Sequence, residues 1–190
     1  MNKGEYGYMN RYKKNHVIGV LIYAGVIVVL TLLAHFLNKS VISPACYVLA
    51  VVLALPAAKH FVAAFVVFSF HTIDEQSIED LNEHTRPLRH GLTLYDVTLS
   101  SVDGIMYSPY MYLTEGKIYC LVLNTSAKVT MDTVYDYLNK ILVNAGLQSE
   151  VIMVHNISEM NRILEDMEDN AETHMELLHK IKDEILLYSV

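Results

Sequence analysis

The chain has 190 residues, 53% of them apolar, and a net charge of −7 from 21 acidic residues against 14 Lys and Arg. The acidic excess lies in the C-terminal half, which argues against nucleic acid as a standing partner, because phosphate binding needs clustered basic side chains. A small anion needs only one basic pocket and stays open.

Residues 1–16 are polar, with Lys3, Arg11, Lys13 and Lys14 set against one acid, Glu5. The apolar run that follows, 17–37, is too long for a signal-peptide core and ends in AHFLNKS, with no small-x-small cleavage site. It is expected to stay as an anchor. A second apolar run, 44–70, begins after a short loop, and a bilayer span needs about 20 apolar residues. The expected architecture is therefore a two-helix transmembrane hairpin, 17–70. By the positive-inside rule the basic flank stays in the cytoplasm, the loop with Lys39 lies outside, and Arg86 and Arg89 follow the return. Both termini are expected inside.

Ser43-Pro44 reads as an N-cap and a proline in the first helical turn. A helix from Pro44 to Ala58 rises only about 22 Å, short of the hydrocarbon core of about 30 Å, so it must run on past Lys59 and His60. Pro56 is a candidate kink. Lys59 and His60 are then ionisable groups within the span, which marks them as candidate functional residues. The alternative for Lys59 is snorkelling to the inner headgroups, and an oligomer could use it for internal pairing.

Residues 71–90 change composition abruptly and read as a connector. Thr72 or Asp74 is the candidate cap of a helix over Glu75–His84, ended by Pro87. Residues 91–190 read as a cytosolic α/β domain. Strand patterns cover Leu92–Ser100 (with imperfect alternation), Ile105–Leu113 and Lys117–Asn124, the last two joined by the hairpin signal Thr114-Glu115-Gly116. Pro109 implies an edge strand or a bulge, whereas YCLVL is apolar on both faces, as in a central strand. A helix over Thr130–Ala145, stopped by Gly146, precedes a buried strand, Glu150–His155, and a right-handed parallel crossover should join the two strands that flank it. One long helix is expected from Ser158, its N-cap, toward Tyr188.

The domain thus reads αβββαβα with a mixed sheet. That order resembles the core of the restriction-endonuclease-like fold, which implies an Asp on the second core strand and a Glu/Asp-x-Lys on the third, binding a divalent metal. Here Asp103 precedes the middle strand and Glu115-Gly116-Lys117 matches the letters, but it falls at the hairpin turn. The inner end of the next strand, Leu121–Asn124, has no carboxylate, so no catalytic residue is assigned. The nine histidines include no convergent set: His174 and His179 are five apart, and His84 and His90 straddle Pro87. Cys46 and Cys120 fall in different compartments and form no CxxC pair, so neither a metal nor a cofactor is expected.

The segment Asn124–Thr130, between a central strand and a helix N-terminus, is where an open α/β sheet binds anions. Ser126, Lys128 and Thr130 are the candidate ligand contacts, with His155 on the neighbouring strand-to-helix turn, and a capped helix start is the plainer reading of the same residues. Finally, the hairpin, the LPAAK stretch at Leu55–Lys59 and the small downstream domain resemble small membrane proteins of anaerobic Gram-positive bacteria. The resemblance implies the bacterial cytoplasmic membrane and says nothing of chemistry. The expected function is a non-enzymatic membrane-anchored module that binds a protein or small ligand for recruitment or signalling, with the lipid bilayer as standing partner and homo-oligomerisation open. A nucleotide-sensing two-span effector and a degenerate nuclease-like enzyme are the alternatives.

Overall fold

The computed structural model describes residues 2–37, 42–88, 90–102, 104–123, 128–167 and 175–189. The chain divides into two compact units, one of Asn10–Ser69 and the other of Met1–Met9 together with Phe70–Val190.

The first unit is built from α1 (Tyr8–Phe36) and α2 (Ile42–Val66), both long and apolar enough to cross a membrane. α1 starts well before the apolar run, because nothing in Tyr8–His16 breaks a helix. α2 begins at Ile42, not Pro44, and ends at Val66, short of Phe70. Ser43 therefore lies inside the first turn rather than capping it, and its buried hydroxyl donates to the Ala34 carbonyl at 2.9 Å. Pro56 sits within α2. At the other end of the pair, the Lys13 ammonium donates to the Phe68 carbonyl at 3.1 Å.

The second unit is a mixed four-stranded sheet with helices on both faces. Its strands are β1 (Leu92–Ser100), β2 (Ile105–Thr114), β3 (Lys117–Leu121) and β4 (Glu150–Val154), in the spatial order β1-β2-β3-β4. The first three pair antiparallel and β4 joins β3 in parallel. The parallel step needs a crossover, supplied by α4 (Met131–Asn144), whose stop is Gly146 at φ +67°, where a Cβ is unfavourable.

Alternation along the strands separates two cores. Ile118 and Cys120 of β3 face one side, against Leu138 and Ile141 of α4 and Ile181 of α6 (Met175–Leu187). Tyr119 and Leu121 face the other, against Leu81 of α3 (Glu75–Thr85) and Met160 of α5 (Ile157–Glu165). Burial pushes the Cys120 thiol up to about 12, so it packs as an inert hydrophobe. Asp74 caps α3, accepting from the Ser77 amide at 2.9 Å and the Ser77 hydroxyl at 2.8 Å.

Three expectations are corrected. The single C-terminal helix is two helices, α5 and α6, and the α5 cap is Asn156, whose side chain accepts from the Glu159 amide at 2.8 Å; Ser158 lies inside the helix. The third strand stops at Leu121, and Asn124 lies outside the described residues. Pro109 does not mark an edge, because β2 is flanked by β1 and β3.

Opposite Pro109, where Asp96 has a left-handed backbone, the pleat slips. In β1, Leu94, Val97 and Leu99 all reach the same core, so alternation shifts by one at Asp96. In β2 the same shift separates Met106 from Met111 and Leu113. Pairing is otherwise continuous, Tyr95 lying opposite Tyr110 and Val97 opposite Ser108, with Asp96 and Pro109 left out of the ladder between them. Proline has no N–H to donate, and beside it the Ser108 hydroxyl donates to the Leu121 carbonyl at 2.8 Å.

Candidate functional site

At both helix starts singled out for an anion, the protein's own side chains accept from backbone amides. At the start of α4, Thr130 and Thr133 cap each other: each side chain accepts from the other's amide at 3.3 Å. At the start of α5, the Glu159 carboxylate accepts from the His155 amide at 3.0 Å. Asp132 and Glu159 also place negative charge in the two first turns, where a helix dipole would otherwise attract an anion. Lys128 is exposed and lines a depression of about 430 Å³ with Asp132, Asp136 and Lys140, so carboxylates and cations share its lining. His155 lines a separate depression of about 390 Å³ with Asn156, Glu159 and Arg162. Lys128 and His155 thus line different depressions, and Ser126 lies outside the described residues.

A more constrained constellation surrounds Asp96. Its carboxylate is 1% exposed, and its backbone adopts φ +50°, a left-handed conformation that aspartate tolerates better than most residues. One oxygen accepts from the Met9 amide at 3.1 Å and the Thr72 hydroxyl at 3.0 Å; the other accepts from the Tyr107 hydroxyl at 2.6 Å. Burial and the neighbouring Asp96 charge raise the Tyr107 phenol far above its ordinary value, so it remains a neutral donor. Tyr107 also lies 3.1 Å from the His71 carbonyl and stacks on Phe70. Tyr95, the preceding residue of β1, donates its amide to the Gly4 carbonyl at 2.9 Å. The chain segments on either side of Asn10–Ser69, ending at Met9 and resuming at Phe70, are thus fixed to one strand at one residue.

The third constellation lies between α1 and α2. The Nδ1 atoms of His16 and His60 are 2.9 Å apart, a distance at which one ring must carry the proton on Nδ1 and the other must offer its lone pair. Tyr23 stacks on His60 and Tyr12 tilts onto His16. Gly19 makes the room: a Cβ there would lie 2.8 Å from His60 Nδ1. Lys59 is exposed on the adjoining position of α2. No protein-family model, curated protein or solved structure matches this chain. Its chemistry is therefore read from these three constellations. Among the described residues, no three His, Cys, Asp or Glu side chains gather as a metal site.

Sequence reasoning singled out His60 and Lys59 but not His16 or Asp96. His16 sits in the polar flank, and its role needs a helix that starts at Tyr8. Asp96 did leave a signal, as the one carboxylate inside a strand that alternates imperfectly.

Proposed function

We propose that this chain is a two-pass membrane protein of the bacterial cytoplasmic membrane, whose hairpin holds a non-enzymatic α/β module at the cytoplasmic face. The observation that carries the reading is exposure. About twenty large apolar side chains of α1 and α2 face outward, among them Leu21 at 66% and Leu55 at 74%. At about 1–2 kcal/mol for each such side chain left in water, their total exceeds the roughly 5–15 kcal/mol by which a domain is stable. Lipid removes that cost. The buried helix of a soluble protein is a poor alternative, since only 6% of the most apolar window of either helix is buried. Inner orientation is supported by Arg11, Lys13 and Lys14 at the start of α1.

The module's role is binding, recruitment or signalling. Its likeness to the restriction-endonuclease-like core rests on element order alone. Glu115 is an exposed turn residue, Lys117 opens β3 with an exposed ion pair to Glu150 at 4.0 Å, and Asp103 lies outside the described residues. Signalling through the hairpin is favoured by Asp96, because any shift of β1 there acts on both segments that lead into the helices. The test is extraction. After cell breakage, the intact chain should stay with the membrane pellet through high salt and alkaline carbonate. Recovery in the supernatant would overturn the membrane reading.

A further inference from the structure

The charges of the helical unit are of one sign. Asn10–Ser69 contains no Asp or Glu, so all 21 acidic residues of the chain lie in the other unit. The helices of the unit run antiparallel, with contacts from Lys13 to Phe68 and from His16 to His60. Arg11, Lys14 and Lys59 therefore belong to the same end of the pair. Lys59 lies seven positions before the end of α2, about 10 Å along the axis, and a lysine stem can carry its ammonium most of that way. All three side chains are exposed, and no carboxylate in the unit competes for them.

We propose that Arg11, Lys14 and Lys59 form a docking surface for the headgroups of anionic phospholipids, an inference that rests on the membrane reading above. Charge complementarity selects an anion. Continuity with the apolar helix surface selects a lipid rather than a free anion: Val17, Ile18, Phe61, Val62 and Phe65 are exposed on the same two helices, next along the chain from these cations. Lys13 plays a different part, its ammonium tying α1 to the end of α2.

The test uses the full chain reconstituted from equimolar phosphatidylglycerol and phosphatidylcholine vesicles, extracted in mild detergent, with the retained lipids weighed by native mass spectrometry. The wild type should carry phosphatidylglycerol in clear excess, and each of Arg11→Gln, Lys14→Gln and Lys59→Gln should cut that excess by about fivefold. Lys59→Arg, which keeps the charge, should retain it. A wild-type ratio of one overturns the proposal even if every variant misfolds. So does equal displacement of the lipid by millimolar inorganic phosphate, which would identify a free-anion site. Failure of the membrane reading looks different: the chain would then stay out of both vesicle lipids.

Discussion

At the scale of the residue, Asp96 joins three features that are individually uncommon: full burial, a positive φ and a carboxylate shared by three donors. Each feature explains another. The left-handed backbone slips the pleat, the slip turns the side chain away from the ladder and toward Met9 and Thr72, and the donors offset the cost of burying the charge. Asparagine tolerates the same φ and can still accept from Met9 and Thr72, while its amide donates to Tyr107 and the Tyr107 proton turns to His71. Asp96→Asn should therefore cost only about 1–2 kcal/mol, the charge-assisted part of the bonds. Asp96→Ala leaves the Met9 amide without its acceptor and adds backbone strain, and should cost about 3–5 kcal/mol. Urea unfolding followed by the near-ultraviolet signal of the tyrosines measures both. Hydrogen exchange should show residues 2–9 and 70–73 loosening together in the alanine variant. Equal stability of the two variants, or exchange confined to one segment, would defeat this account. None of it was legible in the sequence beyond a misplaced carboxylate, because its donors come from positions far away along the chain.

At the scale of the element, most of the architecture could be read in advance, and the failures have physical causes. β1 was legible end to end, and the strand–helix–strand unit was legible because its helix carries one apolar stripe between two buried strands. The C-terminal helix was overextended because both α5 and α6 are amphipathic; the thinning of apolar residues around Asn170–His174 was the signal that the pattern does not run through. At the two strand-to-helix turns the sequence advertises free amides and helix caps alike, and here Thr133 and Glu159 accept from the Thr130 and His155 amides. In the hairpin, apolar periodicity says nothing about which faces of α1 and α2 meet. The glycines of α1 do say so. Gly19 abuts His60, whereas a Cβ at Gly25 would meet nothing within 4 Å. Gly19→Ala must displace the imidazole and break its bond to His16, so it should destabilise the hairpin by about 1–3 kcal/mol. Gly25→Ala should be neutral or stabilising, since alanine is the better helix former by about 1 kcal/mol. Thermal unfolding of the detergent-solubilised chain, followed by far-ultraviolet circular dichroism, separates them. The same effect from both substitutions would mean that the two histidines do not hold the helices together.

At the scale of the whole molecule, the fold limits how often the chain can cross a membrane. Residues up to Met9, in the first turn of α1, and residues after α2 belong to one folded unit: Gly4 is bonded to Tyr95, Tyr6 to the Ile73 carbonyl and Met9 to Asp96. A single crossing would put Gly4 and Tyr95 on opposite sides of the bilayer and tear these bonds apart. An even number of crossings is the only topology that keeps them, and two helices of sufficient length permit two crossings. With the inner orientation proposed above, alkaline phosphatase, which is active only outside the cytoplasm, should be inactive when fused at either terminus and active when inserted between Leu37 and Ile42. Green fluorescent protein should give the opposite pattern. Activity of the phosphatase at one terminus alone would require residues 2–9 to leave the sheet, and Asp96 would then lose the Met9 amide. The stability series at Asp96 checks that consequence independently. A single-crossing chain would show no added exchange in residues 2–9 when Asp96 is replaced, because those residues would never have been held there.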